Sequence, residues 1–137
     1  PSIAPDTVAQ EQARLLGEGG TISPASLFEQ VQNIMWSKAG VVSNRQQLTE
    51  AIAELQDIRR IAASGIDTSD IIAAEDLRNL ALTAELVATA KLAREETRSG
   101  HGRTDFPLQD ESWARHVRLS RSAEGAIAVD TIPVNRS

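Results

Sequence analysis

The sequence contains no cysteine and no tyrosine, and only two tryptophans, two phenylalanines and one methionine among its 137 residues. Lack of cysteine removes disulfides, thiolate nucleophiles and cysteine-ligated zinc or iron–sulfur centres at once. It leaves the compartment open, since nothing demands an oxidising one. With so few aromatics the core must be built from Leu, Ile, Val and Ala, which suits closely packed helices. No apolar run approaches the ~20 residues of a membrane span, and the amino terminus has no basic segment followed by an apolar one. A soluble, untargeted chain without direct membrane insertion is expected. Basic residues are also in deficit: 14 Lys and Arg stand against 19 Asp and Glu, for a net charge of −5. A phosphate backbone needs the opposite surplus, so no nucleic-acid partner is expected. The opening Pro1-Ser2-Ile3-Ala4-Pro5 has no initiator Met, which suggests a processed product or a piece of a longer protein.

What is present reads as helix. A short helix over residues 6–16, capped by Asp6, should end at Gly17-Glu18-Gly19-Gly20, making residues 1–22 an arm. Ser23-Pro24 is a strong helix start. The segment that follows places Leu27, Phe28, Val31, Ile34 and Met35 on one face, which Trp36 extends, and Gly40 stops it. Asn44 with Gln47 resembles a capping box before a stripe of Leu48, Ile52, Leu55, Ile58 and Ala62 that ends at Gly65. The longest helix runs from about Ser69 or Asp70 to Arg94, with Ile72, Leu77, Leu80, Ala81, Ala84, Val87, Ala88 and Leu92 as core candidates. None of the three long helices can bury its stripe alone, so the expected fold is all-α, an antiparallel, spectrin-repeat-like three-helix bundle over residues 23–112. Asp110-Glu111-Ser112 caps a short turn through Trp113. Val117 and Leu119, then Ile127, Val129 and Thr131, alternate around a Gly-containing turn, so residues 113–137 read as a β-hairpin with a frayed tail from Pro133. Two strands are marginal in water, and the hairpin must pack on the bundle or join another sheet.

The chemistry is concentrated between Arg94 and Pro107. Arg94, Arg98, His101 and Arg103 alternate with Glu95, Glu96 and Asp105, two glycines punctuate the run, and Phe106-Pro107 follows as an anchor. The candidate site is therefore Arg94, Glu96, Arg98, His101, Arg103, Asp105 and Phe106. His101 is the tempting proton shuttle, yet flanked by Gly100 and Gly102 among Arg and Glu it reads better as a member of a structural network. The guanidinium forks would suit an oxyanion, but the neighbouring carboxylates can satisfy them internally. His101 and His116 have no metal-ligand spacing, so no metal is expected. Trp36 and Trp113 read as core or interface anchors.

The run Arg-Glu-Glu-Thr-Arg-Ser-Gly-His-Gly-Arg-Thr-Asp-Phe-Pro resembles the Arg-x-Glu-Ser/Thr-Arg-Gly-x-His-x-Arg-x-Asp-Phe/Tyr-Pro signature of the carboxy-terminal domain of succinate dehydrogenase and fumarate reductase flavoproteins, a group that includes L-aspartate oxidase. Ile34-Met35-Trp36 before Gly40-Val41-Val42, Leu77-Arg78-Asn79-Leu80 before Ala84-Glu85-Leu86-Val87, and Trp113 with His116 agree with it, over about residues 24–133. Ser99 departs where the family usually has Gly, and Ser43 where an Arg often follows Gly-Val-Val. The resemblance implies a helical domain appended to flavin-binding and capping domains of the same polypeptide, in an enzyme that passes hydride between a dicarboxylate and FAD. It further implies a neighbouring iron–sulfur subunit in complex-forming members, and a cytoplasmic protein at the cytoplasmic face of the membrane through partner subunits. This chain has no Gly-x-Gly-x-x-Gly fingerprint after a strand. It is therefore expected to bind no cofactor, to hold no catalytic residue and to be silent alone, with structural and docking work. The alternatives are the same domain of L-aspartate oxidase, or an independent helical interaction module.

Overall fold

The structure, a computed structural model, describes residues 5–16, 20–123 and 125–134. Residues 1–4, 17–19, 124 and 135–137, which include the start of the arm, most of the expected Gly stop, part of the hairpin turn and the end of the tail, lie outside the described residues. Four α-helices carry the fold: α1 Pro5–Leu16, α2 Pro24–Lys38, α3 Arg45–Ser64 and α4 Ile71–Ala93. A parallel pair of two-residue strands, β1 Val42–Ser43 with β2 Gly102–Arg103, ties the loops together, and β3 Arg115–Arg121 pairs antiparallel with β4 Ile127–Pro133.

Helices α2, α3 and α4 form the expected bundle. Cross-links show the directions: Lys38 reaches Glu50 and Glu54 from α2 to α3, while the α3–α4 contacts run Gln56 and Arg59 to Glu85 and Arg78 to the Ala62 carbonyl. Between α3 and α4 one number falls as the other rises, and the carboxy-terminal end of α2 lies against the first half of α3, so consecutive helices are antiparallel. The core consists of Leu27, Val31 and Ile34 from α2, Leu48, Ala51, Leu55, Ile58 and Ala62 from α3, and Ala74, Leu77, Ala81, Ala84 and Ala88 from α4. Alanine on α4 lets its neighbours approach closely, which is why a core with no buried aromatic ring closes. Glu85 is buried among them and is satisfied by Gln56 and Arg59.

The capping box at α3 is present in both directions, Gln47 N to Asn44 Oδ1 at 2.9 Å and Asn44 N to Gln47 Oε1 at 3.1 Å. Asp70 caps α4 through Ala73 N at 3.0 Å. Five expectations change. Ser23 makes no side-chain cap and Pro24 alone opens α2, while Asp6 lies inside the first turn of α1. Trp36 does not extend the buried face but is 88% exposed. It follows Ile34 by two residues, a rotation of roughly 200° about the helix, and so points away from the core. Ile72 and Val87 are exposed for the same reason, each being out of phase with the Ala74, Leu77, Ala81, Ala84, Ala88 stripe. Pro133 is not frayed: it ends β4 opposite Arg115, and Val134 N donates to the Ala114 carbonyl at 3.3 Å.

The hairpin packs its half-buried Val117, Leu119, Ile127 and Thr131 towards the bundle, in register Val117 with Thr131 and Leu119 with Val129. Near its turn, Leu119 and Ile127 share a cleft with Leu82 and Leu86 of α4.

Candidate functional site

The seven candidate residues converge where α4 ends. At Arg94 the backbone turns extended, and the last carbonyls of α4 are left without helical partners. Arg103 supplies them from nine residues on: its Nη1 donates to the carbonyls of Lys91, Leu92 and Arg94 at 2.9, 3.1 and 2.9 Å. The other edge of the same guanidinium grips Asp105, Nε to Oδ1 at 2.8 Å and Nη2 to Oδ2 at 2.7 Å. Asp105 Oδ2 also accepts the Arg45 amide at 3.0 Å, at the first residue of α3. The Arg103 side chain is fully buried, with its guanidinium 5.0 Å from the Phe106 ring.

Glu96 is the second hub. It is completely buried and accepts from Arg94, from Arg98 Nε at 2.9 Å and from the Asp110 amide at 3.0 Å. Burial by itself would raise its pKa. Arg98, the Asp110 amide and Arg94 outweigh that and hold it at about 2. Asp105 is likewise held at about 2, chiefly by Arg103. Arg94 also donates to the Trp113 and Arg115 carbonyls and lies 5.5 Å from the Trp113 ring, so the turn before β3 is fastened to the same hub.

His101 Nε2 lies 3.1 Å from the Arg94 carbonyl. Burial lowers its pKa, the bond to the Arg94 carbonyl opposes this, and the nearby charges of Lys91, Arg103 and Arg94 add to the lowering, so the ring is neutral at neutral pH and donates this bond. The turn that carries it, Arg98-Ser99-Gly100-His101, is closed by reciprocal backbone bonds of 2.9 and 3.0 Å between Arg98 and His101. Its left-handed residue is Ser99, at φ +52°. Positive φ at the first central position alone is the pattern of a type II′ turn, which favours Gly there. Gly102, in contrast, is needed for close approach: a Cβ on it would sit 3.0 Å from Val42 Cγ2 and 3.2 Å from the Val41 carbonyl.

All seven predicted residues thus meet in one network, whereas Glu95 points outward to Arg45 at 2.5 Å. Sequence reasoning missed Arg45, Thr97, Asp110 and Lys91. Thr97 Oγ1 accepts the Arg103 amide and donates to the Phe106 carbonyl, both at 2.9 Å. No local spacing announces these contacts, because each partner lies across a turn or in another helix.

The arrangement is internally paired. Its arginines are committed to carboxylates and carbonyls, its carboxylates are held ionised, and its imidazole serves a backbone oxygen. Among the described residues the parallel strands are the two-residue pair β1 and β2, and the turn from β1 into α3 through Asn44 carries no glycine. No three His, Asp or Glu among the described residues converge as a metal-binding group.

Residues 28–137 match the family described as fumarate reductase flavoprotein C-term. The chain belongs to this family. It is 31% identical over 126 residues to a fumarate reductase flavoprotein subunit of Mycobacterium tuberculosis, covering 86% of this chain and 21% of that relative. It is 36% identical over 110 residues to a chloroplastic L-aspartate oxidase of Arabidopsis thaliana, covering 73% of this chain and 17% of the relative. An E. coli quinol fumarate reductase structure superposes with a TM-score of 0.85 at 19% identity, over 96% of this chain and 24% of that one, a likeness of fold. The chain therefore spans less than a quarter of the length of the curated relatives it matches. The family carries flavoprotein in its description, and the mostly helical fold of this chain is consistent with that superposition.

Proposed function

We propose that this chain is the carboxy-terminal domain of an FAD-dependent flavoprotein of the succinate dehydrogenase and fumarate reductase type, where it braces and docks and does no chemistry by itself. The observation that carries this reading is the closed pairing of the signature: Arg94 and Arg98 on Glu96, Arg103 on Asp105 and the α4 carbonyls, His101 on Arg94. With its guanidiniums and carboxylates committed to one another and His101 Nε2 on a backbone carbonyl, the signature reads as structure and not as a reaction centre. Flavin and capping domains of the same polypeptide hold FAD and pass hydride between it and a dicarboxylate. An iron–sulfur subunit is the further partner, and the assembly sits on the cytoplasmic face of the membrane through its partner subunits.

The L-aspartate oxidase reading is favoured by one observation, the 36% identity to that relative. Both readings are tested on the full-length polypeptide by flavin absorbance and by turnover with fumarate or with L-aspartate. Flavin binding with fumarate reduction supports the first reading, and L-aspartate oxidation without succinate oxidation moves the chain to the second. A parent that binds no FAD contradicts both and leaves the helical interaction module.

A further inference from the structure

Three apolar side chains stand out in solvent beside the brace: Trp36 is 88% exposed, Val41 69% and Val42 61%. The β1–β2 pairing holds Val42 beside Gly102, so this ridge is fixed to the signature loop. Met35, Trp36, Ala39 and Val41 line a shallow groove completed by Lys91 and Gly100. Exposed apolar surface concentrated in this way, with a tryptophan on it, marks a contact surface and not a solvated face.

Lys91 supplies the second observation. It is half-buried in the last turn of α4, and among the described residues no carboxylate pairs with it. Its charged neighbour is Arg103, which repels it. The other buried or half-buried charges of this segment, Arg94, Glu95, Glu96, Arg98 and Arg103, each have a counter-ion. An ammonium left partly desolvated without a counter-ion is a cost that an outside carboxylate removes.

We propose that this groove receives the flavin-bearing body of the same polypeptide, which lays apolar side chains on Trp36 and Val41 and sets a carboxylate against Lys91. The proposal rests on the reading of the chain as a flavoprotein carboxy-terminal domain. More than three quarters of the length of its curated relatives lies outside the matched segment, so the occupant is at hand in one polypeptide. A second copy of this chain fits poorly. A two-fold contact through the groove would bring each Lys91 to a surface that offers no carboxylate, since the other lining residues are Gln32, Met35, Trp36, Ala39, Val41 and glycines. The brace then has a purpose beyond ending α4: through β2 and the Ser99-Gly100 turn it sets the rim of the docking groove.

The test uses the full-length polypeptide with Val41→Cys, and with Ile72→Cys as reference at the far end of α4, where Ile72 is 75% exposed. The 137-residue segment has no cysteine of its own. Iodoacetamide labelling is followed by peptide mass spectrometry, each rate normalised to the same site in urea. With flavin bound, Val41→Cys should react roughly tenfold more slowly than Ile72→Cys. Lys91→Glu should return most of that factor, and Lys91→Met a smaller part of it. Equal rates at the two sites in a flavin-loaded polypeptide overturn the proposal while the parent reading stands. Protection that Lys91→Glu leaves untouched overturns the carboxylate partner, and protection that vanishes on dilution assigns the groove to a second copy. Failure to load flavin at all is instead a failure of the parent reading.

Discussion

Arg103 and Asp105, two residues apart and joined by bonds of 2.8 and 2.7 Å, span the ends of two antiparallel helices. The guanidinium caps the last carbonyls of α4, and the carboxylate takes the first amide of α3. Each charge therefore lies at the helix end whose dipole it complements. Because Arg103 is fully buried and uses both edges of its fork, lysine cannot replace it: a single ammonium cannot serve three carbonyls and a bidentate carboxylate together. Arg103→Lys should destabilise the chain by roughly 3 kcal/mol in urea unfolding, and Arg103→Ala by at least as much.

Ser99 holds a left-handed backbone at φ +52° in a turn that prefers glycine. Ser99→Gly should raise stability by about 1 kcal/mol, read as a higher urea midpoint with unchanged slope. A decrease would mean that the serine side chain contributes something its backbone geometry does not reveal.

The two glycines beside His101 differ. A Cβ at Gly100 meets nothing within 4 Å, but one at Gly102 presses on Val42 and on the Val41 carbonyl at 3.0 and 3.2 Å. Gly100→Ala should change the melting temperature little. Gly102→Ala should cost roughly 1–3 kcal/mol, the range of an overpacked site, by prising β1 from β2.

Acid should unfold this chain through the brace. Glu96 is held at about 2 against an ordinary 4.5, and Asp105 at about 2 against 3.8. Both folded values are depressed, so the unfolded chain takes up protons first as pH falls. Their stabilisation is complete above the ordinary values and is lost as pH drops towards about 2. His101, depressed below 6.5, adds a shallower loss that begins as pH falls through 6.5. Melting temperature should fall steeply below about pH 4.5, and Glu96→Gln should show a lower value at neutral pH with a flatter acid limb.

Much of the fold was legible because its signals are local. The Asn44–Gln47 box, Asp70, and the 3-4 spacing of Leu48, Leu55, Ile58 and Ala62 are each complete within a few residues. Trp36 was misread because Ile34, Met35 and Trp36 are all apolar, and three successive helical residues cannot share one face. Membership of the charged network was legible from its density, but its wiring was not. Arg45 meets Asp105 across sixty residues, and the isolation of Lys91 exists only once α2, β1 and the end of α4 are brought together.

Whether the signature braces or reacts is decided most directly at His101. The decisive measurement is fumarate reduction per bound flavin by the full-length polypeptide with His101→Gln, alongside its thermal unfolding. The brace predicts turnover per flavin close to the unsubstituted protein, with its pH profile unmoved, and a lower melting temperature. A loss of turnover per flavin with melting unchanged would contradict it and return His101 to the chemistry.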